Sequence, residues 1–206
     1  GLLVACAACQ SNDAGAPADM DTLKAALVDT LSAYPDATVA VAVRDLATGD
    51  TLTLRGDRQF HAASTMKVPV LAEVFRQAQA GRFALDDSLT IRNRFTSIVD
   101  SSTYQIEDDS DEAIYQRLGE QMSIRDLTER MITVSSNLAT NMIIELVSAE
   151  AVQRLLDDLG ARRMQVRRGV EDIKAYRQGL NNTTTAADLA TMLTAIAEHT
   201  VVSPGA

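Results

Sequence analysis

The sequence predicts an α+β fold in which helices outweigh strands, and three observations carry that prediction. Thr38-Val39-Ala40-Val41-Ala42-Val43-Arg44 sets Val against Ala, and Thr51-Leu52-Thr53-Leu54 alternates again beyond a Thr48-Gly49-Asp50 turn, the pattern of a β-hairpin. From Ser64 onward the apolar residues recur at the three- and four-residue spacing of helices with one buried face. A lone hairpin is marginal in water and leaves both edges unpaired. Either the hairpin lies on a helical body, or the protein continues past Ala206 with the missing strands; we favour the second.

A first helix is expected from about Asp21 to Tyr34, with Leu23, Leu27 and Leu31 on one stripe and Pro35 ending it. After the hairpin, Ser64 to about Ala80 is a helix closed by Gly81. Ser123 caps a helix carrying Ile124, Leu127, Met131 and Ile132 on one face. Another helix follows Asn137, and a further one follows Ser148, with Val152, Leu155, Leu156 and Leu159 and a stop at Gly160. Thr185 starts the last, with Leu189, Met192, Leu193 and Ile196 at helical spacing.

At 206 residues, 46% hydrophobic and 23% charged, the chain has the composition of a soluble globular domain. Nineteen Lys and Arg against 28 Asp and Glu give a net charge of -9, which argues against a nucleic-acid partner, since that affinity rests on neutralising phosphates. Two His and two Cys are too few for the common zinc sites, so neither a metal nor another cofactor is expected. No apolar run reaches the roughly 18 residues of a membrane-spanning helix. Both cysteines, Cys6 and Cys9, sit in the first ten residues. Leu3-Val4-Ala5-Cys6 resembles the lipobox that ends a bacterial secretory signal, and small polar residues up to Pro17 follow it as a tether would. Residues 1–20 therefore read as signal remnant, lipobox and flexible tether, and 21–206 as the folded domain. This predicts export to the periplasm or cell surface with a membrane tether through Cys6; the plainer alternative is an apolar N-terminus with two spare thiols.

Ser64-Thr65-Met66-Lys67 is a Ser-x-x-Lys. Pro69 is tolerated only near a helix start, so the Ser64 hydroxyl belongs at a helix N-terminus, where free N–H groups favour developing negative charge. Lys67 then lies on the same face one turn on, and if it is buried there its pKa falls and it can accept a proton from Ser64. By itself the motif reads more readily as a capping serine and a surface lysine. Ser135-Ser136-Asn137 falls on a short connection between two helices, where it projects a hydroxyl and an amide or simply caps the next helix. Thr183-Thr184-Thr185 and Asp188 read as a capping box.

Taken together, the order and spacing of Ser64-Thr65-Met66-Lys67, Met131-Ile132-Thr133-Val134-Ser135-Ser136-Asn137 and a Glu-bearing loop before Thr183-Thr184-Thr185 resemble the class A serine β-lactamases and their penicillin-recognising relatives, from about residue 21 onward. The signature of that family is Ser-x-x-Lys, Ser-Asp-Asn and Lys-Thr-Gly. The second stands here with Ser136 in place of Asp, and the third is expected on a strand C-terminal to Ala206. The resemblance implies an antiparallel sheet flanked by helices, an all-helical subdomain, and a site between them. It implies Ser64 as nucleophile, Lys67 as base or proton relay, Ser135 as proton donor to the leaving nitrogen, and Asn137 as the residue that binds the substrate amide. It also makes the Ser64 N–H one oxyanion donor.

In the loop Arg167-Arg168-Gly169-Val170-Glu171-Asp172-Ile173-Lys174-Ala175-Tyr176, Glu171 is the first candidate for the deacylating base and Asp172 the second. The family's Asn four residues later is Ala175 here, and a surface pairing of the two carboxylates with the adjacent arginines is the competing reading. The acidic run Glu107-Asp108-Asp109-Ser110-Asp111-Glu112 lacks the glycine and spacing of a calcium loop and reads as a solvated loop or helix start. His61 reads as structural, and Tyr104 as a possible aromatic wall of the cleft. The expectation is a monomeric serine hydrolase opening β-lactam amides through an acyl-enzyme on Ser64. The alternatives are a peptidoglycan D,D-peptidase or other amidase of the same fold, such as a serine-type glutaminase, and a non-catalytic lipid-anchored cell-wall-binding relative. The chain 1–206 by itself is expected to be inactive.

Overall fold

The computed structural model describes residues 19–202; the lipobox, Cys6 and most of the tether lie outside them. In chain order the elements are α1 (Met20–Ser32), β1 (Val41–Arg44), β2 (Thr51–Leu54), β3 (Phe60–His61), a 3₁₀ turn (Ala63–Met66), α2 (Lys67–Gln79), β4 (Ser88–Thr90), β5 (Phe95–Thr96), β6 (Thr103–Tyr104), α3 (Glu112–Tyr115), β7 (Gln121–Ser123), α4 (Ile124–Thr133), α5 (Asn137–Val147), α6 (Ala149–Asp158), α7 (Ile173–Arg177), β8 (Thr183–Thr184) and α8 (Ala186–Ala197).

The hairpin forms with Val41 opposite Leu54 and Arg44 opposite Thr51, starting later than Thr38. The helices α1 and α8 pack against it. It does not stand alone. Among the described residues three further two-stranded antiparallel ladders form, β3 with β8, β4 with β7 and β5 with β6. Each strand holds two or three residues, too short for alternation to be visible in sequence. For β3 and β4 the partners are also distant in the chain, Phe60 facing Thr184 and Leu89 facing Met122, whereas β5 and β6 are neighbours.

The core centres on α2, which buries Val70, Ala72 and Val74 and packs against α4, α5, α6 and α8. Pro69 sits in its first turn, where no intrahelical donor is lost. The expected caps are present: Ser123 Oγ accepts from Asp126 N at 3.0 Å and Ser148 Oγ from Ala151 N at 3.2 Å. On α4, Ile124, Leu127 and Met131 are buried, but Ile132 is exposed because it lies about 100° around the helix from Met131. On α8 Met192 is buried whereas Leu193 and Ile196 face outward among the described residues. The capping box at Thr185 is half formed. Thr185 Oγ1 accepts from Asp188 N, but the Asp188 carboxylate is drawn away to the backbone N–H groups of Arg163 and Met164, each at 2.6 Å.

Candidate active site

Ser64 does not open an α-helix directly. It is the second residue of the 3₁₀ turn, which begins at Ala63 with a positive φ of 45°. His61 Nδ1 accepts the Ala63 N–H at 3.0 Å, and the ladder of β3 with β8 anchors the approach. His61 is thus part of the turn that presents Ser64. Lys67 follows as the first residue of α2 and is only 2% exposed.

The connection between α4 and α5 meets this turn. Ser135 has φ 59°, a left-handed conformation that costs a non-glycine residue on the order of 1–3 kcal/mol. The end of α4 is held by Arg130, whose Nη1 spans both Asp111 oxygens at 2.9 and 2.8 Å. Ser136 Oγ accepts from Ala139 N at 3.2 Å and so caps α5. With the backbone held this way, Ser135 Oγ lies 3.0 Å from Ser64 Oγ.

Lys67 Nζ donates to Ser135 O at 2.6 Å, Ser135 Oγ at 2.9 Å and Asn137 Oδ1 at 3.1 Å. These three bonds account for its donors. The route from Lys67 to Ser64 therefore runs through the Ser135 hydroxyl. Burial pushes the Lys67 ammonium down to about 8, and the charges of Asp109 and Glu171 act against that shift. At pH 7 such a group is neutral in about a tenth of molecules.

Asn137 continues the network on its other side. Its Nδ2 donates to Glu171 Oε1 at 2.9 Å and to Asp108 O at 3.2 Å. Glu171 itself has φ 59°, and its Oε2 accepts from Glu107 N at 3.4 Å. Burial holds the Glu171 carboxyl above the usual carboxylate range, opposed by those two hydrogen bonds. Just before it, Val170 is gripped by Asn141, which accepts from Val170 N at 2.6 Å and donates to Val170 O at 3.0 Å. Tyr104 donates to the same Val170 carbonyl at 3.1 Å. A Cβ on Gly169 would collide with the Asn141 side chain, so this approach needs glycine. Glu171 lies in the wall of a cavity of ≈ 860 Å³ that Tyr104, Glu107 and Asp108 also line.

The structure thus brings Ser64, Lys67, Ser135, Asn137 and Glu171 into one hydrogen-bonded cluster. Asp172 points elsewhere. It is 2% exposed, and its carboxylate accepts from Ser97 Oγ and Ile98 N, each at 3.0 Å, and from Ala175 N at 3.1 Å. Nor do the neighbouring arginines pair with these acids: Arg167 bonds Gln165, and Arg168 donates to Leu180 O and Gly169 O. The acidic run is solvated at Glu107, Asp108, Ser110 and Glu112, and Glu112 starts α3, but two of its members turn inward. Asp111 is buried against Arg130, and Asp109 reaches the start of α5. Sequence reading missed Asp109 and Asn141. The first carries no signal among five other acidic and polar residues. The second stands four residues after Asn137, hence on the same helix face, and that spacing was the available clue.

A helix-rich α+β body with Ser-x-x-Lys and Ser-x-Asn meeting at one point defines a penicillin-recognising serine hydrolase fold. Residues 22–206 match the β-lactamase enzyme family, and the chain belongs to it. It is 28% identical to a β-lactamase of Rhodobacter capsulatus across 82% of this chain and 55% of that protein. It is likewise 28% identical to the β-lactamase ROB-1 of Haemophilus influenzae, across 94% of this chain and 64% of that one. Among solved structures, a β-lactamase from Sphaerobacter thermophilus superposes with a TM-score of 0.72 at 27% identity, covering 90% of this chain and 64% of its own. PBP-A superposes at 0.73 with 30% identity, covering 89% and 64%. A PBP-A variant caught as an acyl-enzyme with penicillin G superposes at 0.74. The chain therefore spans less than two thirds of the length of these relatives.

Proposed function

We propose that this protein is a serine hydrolase that opens β-lactam amides through an ester on Ser64. The observation that carries the reading is the unbroken chain of contacts from Ser64 Oγ through Ser135 Oγ to the buried Lys67 Nζ. In this reading neutral Lys67 draws a proton from Ser64 by way of Ser135 as the hydroxyl attacks the carbonyl. Ser135 then returns the proton to the departing nitrogen, so one hydroxyl serves both transfers. Asn137 orients the substrate amide beside Lys67. Glu171, in its ionised form, takes the proton of the water that cleaves the ester.

A second reading is supported by the likeness to PBP-A, whose variant is recorded as a penicillin G acyl-enzyme. In it the protein acylates and releases slowly, as an enzyme acting on peptidoglycan-like amides does. The two share the Ser64 ester and differ in how fast it is released.

The test is intact-protein mass spectrometry after penicillin treatment of the protein expressed from its full reading frame. Wild type gains one adduct and Ser64→Ala gains none. An adduct that persists in Ser64→Ala removes Ser64 from the role of nucleophile.

A further inference from the structure

Asp109 lies in the acidic run on the connection between β6 and α3, well away in sequence from Ser64-x-x-Lys67 and Ser135-x-Asn137, yet its carboxylate is saturated mainly by groups at the start of α5. Oδ1 accepts from Asn137 N at 2.8 Å and from Asp111 N at 3.2 Å. Oδ2 accepts from Leu138 N at 2.8 Å, from Tyr115 Oη at 3.0 Å and from Ser136 Oγ at 3.4 Å. Together with the Ser136 Oγ bond to Ala139 N, the first three N–H groups of α5 are all satisfied by side chains. A carboxylate at this end also meets the positive end of the helix dipole.

The residue so held is Asn137, whose side chain joins Lys67 to Glu171. The same connection supplies Asp108 O to Asn137 and Glu107 N to Glu171. We propose that Asp109 is the positioning residue of this site, supplying from a distant segment the carboxylate that Ser-Ser-Asn lacks relative to Ser-Asp-Asn, and fixing Asn137 and Lys67 for acylation. This rests on the Ser64 acylation reading.

The charge of Asp109 acts on Lys67 as well. Asp109 and Glu171 are the charged groups that face the ammonium, and both stabilise its protonated form. Removing one of them lowers the Lys67 pKa, so the acid limb of an acylation profile that needs the neutral amine moves to lower pH. A cap with a purely structural role would slow acylation without moving that limb.

The experiment compares Asp109→Asn, and Asp109→Asn combined with Ser136→Asp, with wild type. Acylation by penicillin is followed by stopped flow across pH, and Lys67 is titrated by NMR of ¹³Cε-labelled lysine. Asp109→Asn places an amide N–H₂ against backbone donors, and acylation is expected to slow about tenfold or more. The acid limb and the NMR titration both move to lower pH. Ser136→Asp in that background returns the carboxylate and restores rate and titration, which supports the proposal even if the single variant is too unstable to assay. Unchanged rate and titration in Asp109→Asn overturn it, and so does a double variant that folds yet stays slow. Failure of wild type to form any adduct refutes the Ser64 reading instead, and the NMR titration still decides whether Asp109 sets the state of Lys67.

Discussion

Asn137 donates its side-chain amide to Glu171 Oε1 at 2.9 Å, which ties the Ser-x-Asn connection to the loop that follows Gly169. The bond answers a difficulty raised by Ala175, which stands where the family carries a second amide. The partner of Glu171 comes from α5 rather than from its own loop. Asn137 thus touches both the group assigned to acylation and the group assigned to deacylation.

Glu171→Gln should separate those two steps. In the proposed mechanism acylation uses Ser64, Ser135 and Lys67, so it should stay within a few fold of wild type. Deacylation loses its base and slows by about 10²–10⁴. Stopped-flow nitrocefin traces should then show a burst of one equivalent followed by a stall. If wild type itself bursts and stalls, the slow-release reading holds. Steady turnover that is unchanged by the substitution would remove Glu171 from catalysis altogether.

The proposed mechanism places two opposite requirements on pH. Lys67 must be neutral to accept a proton, and its pKa is about 8, so acylation should rise with pH through that value and level off above it. Glu171 must be ionised, and burial holds its carboxyl above the usual range, so deacylation should fail on acidification earlier than an exposed glutamate would allow. Single-turnover and steady-state profiles measured together report the two limbs. An acylation rate that is flat from pH 6 to 9 would exclude neutral Lys67 as the base.

Gly169→Ala tests the clamp behind Glu171. The added methyl meets the Asn141 amide, which must leave Val170 or force the loop outward. The expected result is a kcat lowered by about tenfold to a hundredfold, with the acylation burst retained, since a displacement of about 1 Å at a catalytic group has effects of that order. Loss of the burst together with turnover would show that the clamp supports Lys67 and Ser64 as well.

Much of the helical architecture was legible in the sequence because it depends on local chemistry. The caps at Ser123 and Ser148, the glycine stops at Gly81 and Gly160, and the stripes of α4 and α6 are set by residues within a few positions of one another. So is the hairpin, whose turn and alternation lie inside seventeen residues. The Ser-x-x-Lys and Ser-x-Asn motifs were visible for the same reason. Ladders such as β3 with β8 were not visible, since two-residue strands have no period and their partners lie over a hundred residues away.

The site divides along the same line. Residue types and spacing singled out Ser64, Lys67, Ser135 and Asn137, and the family resemblance added Glu171. Only the packed chain decided that Lys67 reaches Ser64 through Ser135, that Glu171 rather than Asp172 faces the cluster, and that Asp109 and Asn141 hold it in place. Glu171 and Asp172 are adjacent carboxylates, and the sequence ranked Glu171 first without showing which way either one turns. The positive φ at Glu171, and the amides of Ile98 and Ala175 that bind Asp172, turn them in different directions. Charge and hydrogen-bond capacity belong to the residue, whereas the direction in which a side chain acts is set by backbone conformation and by donors brought from distant segments.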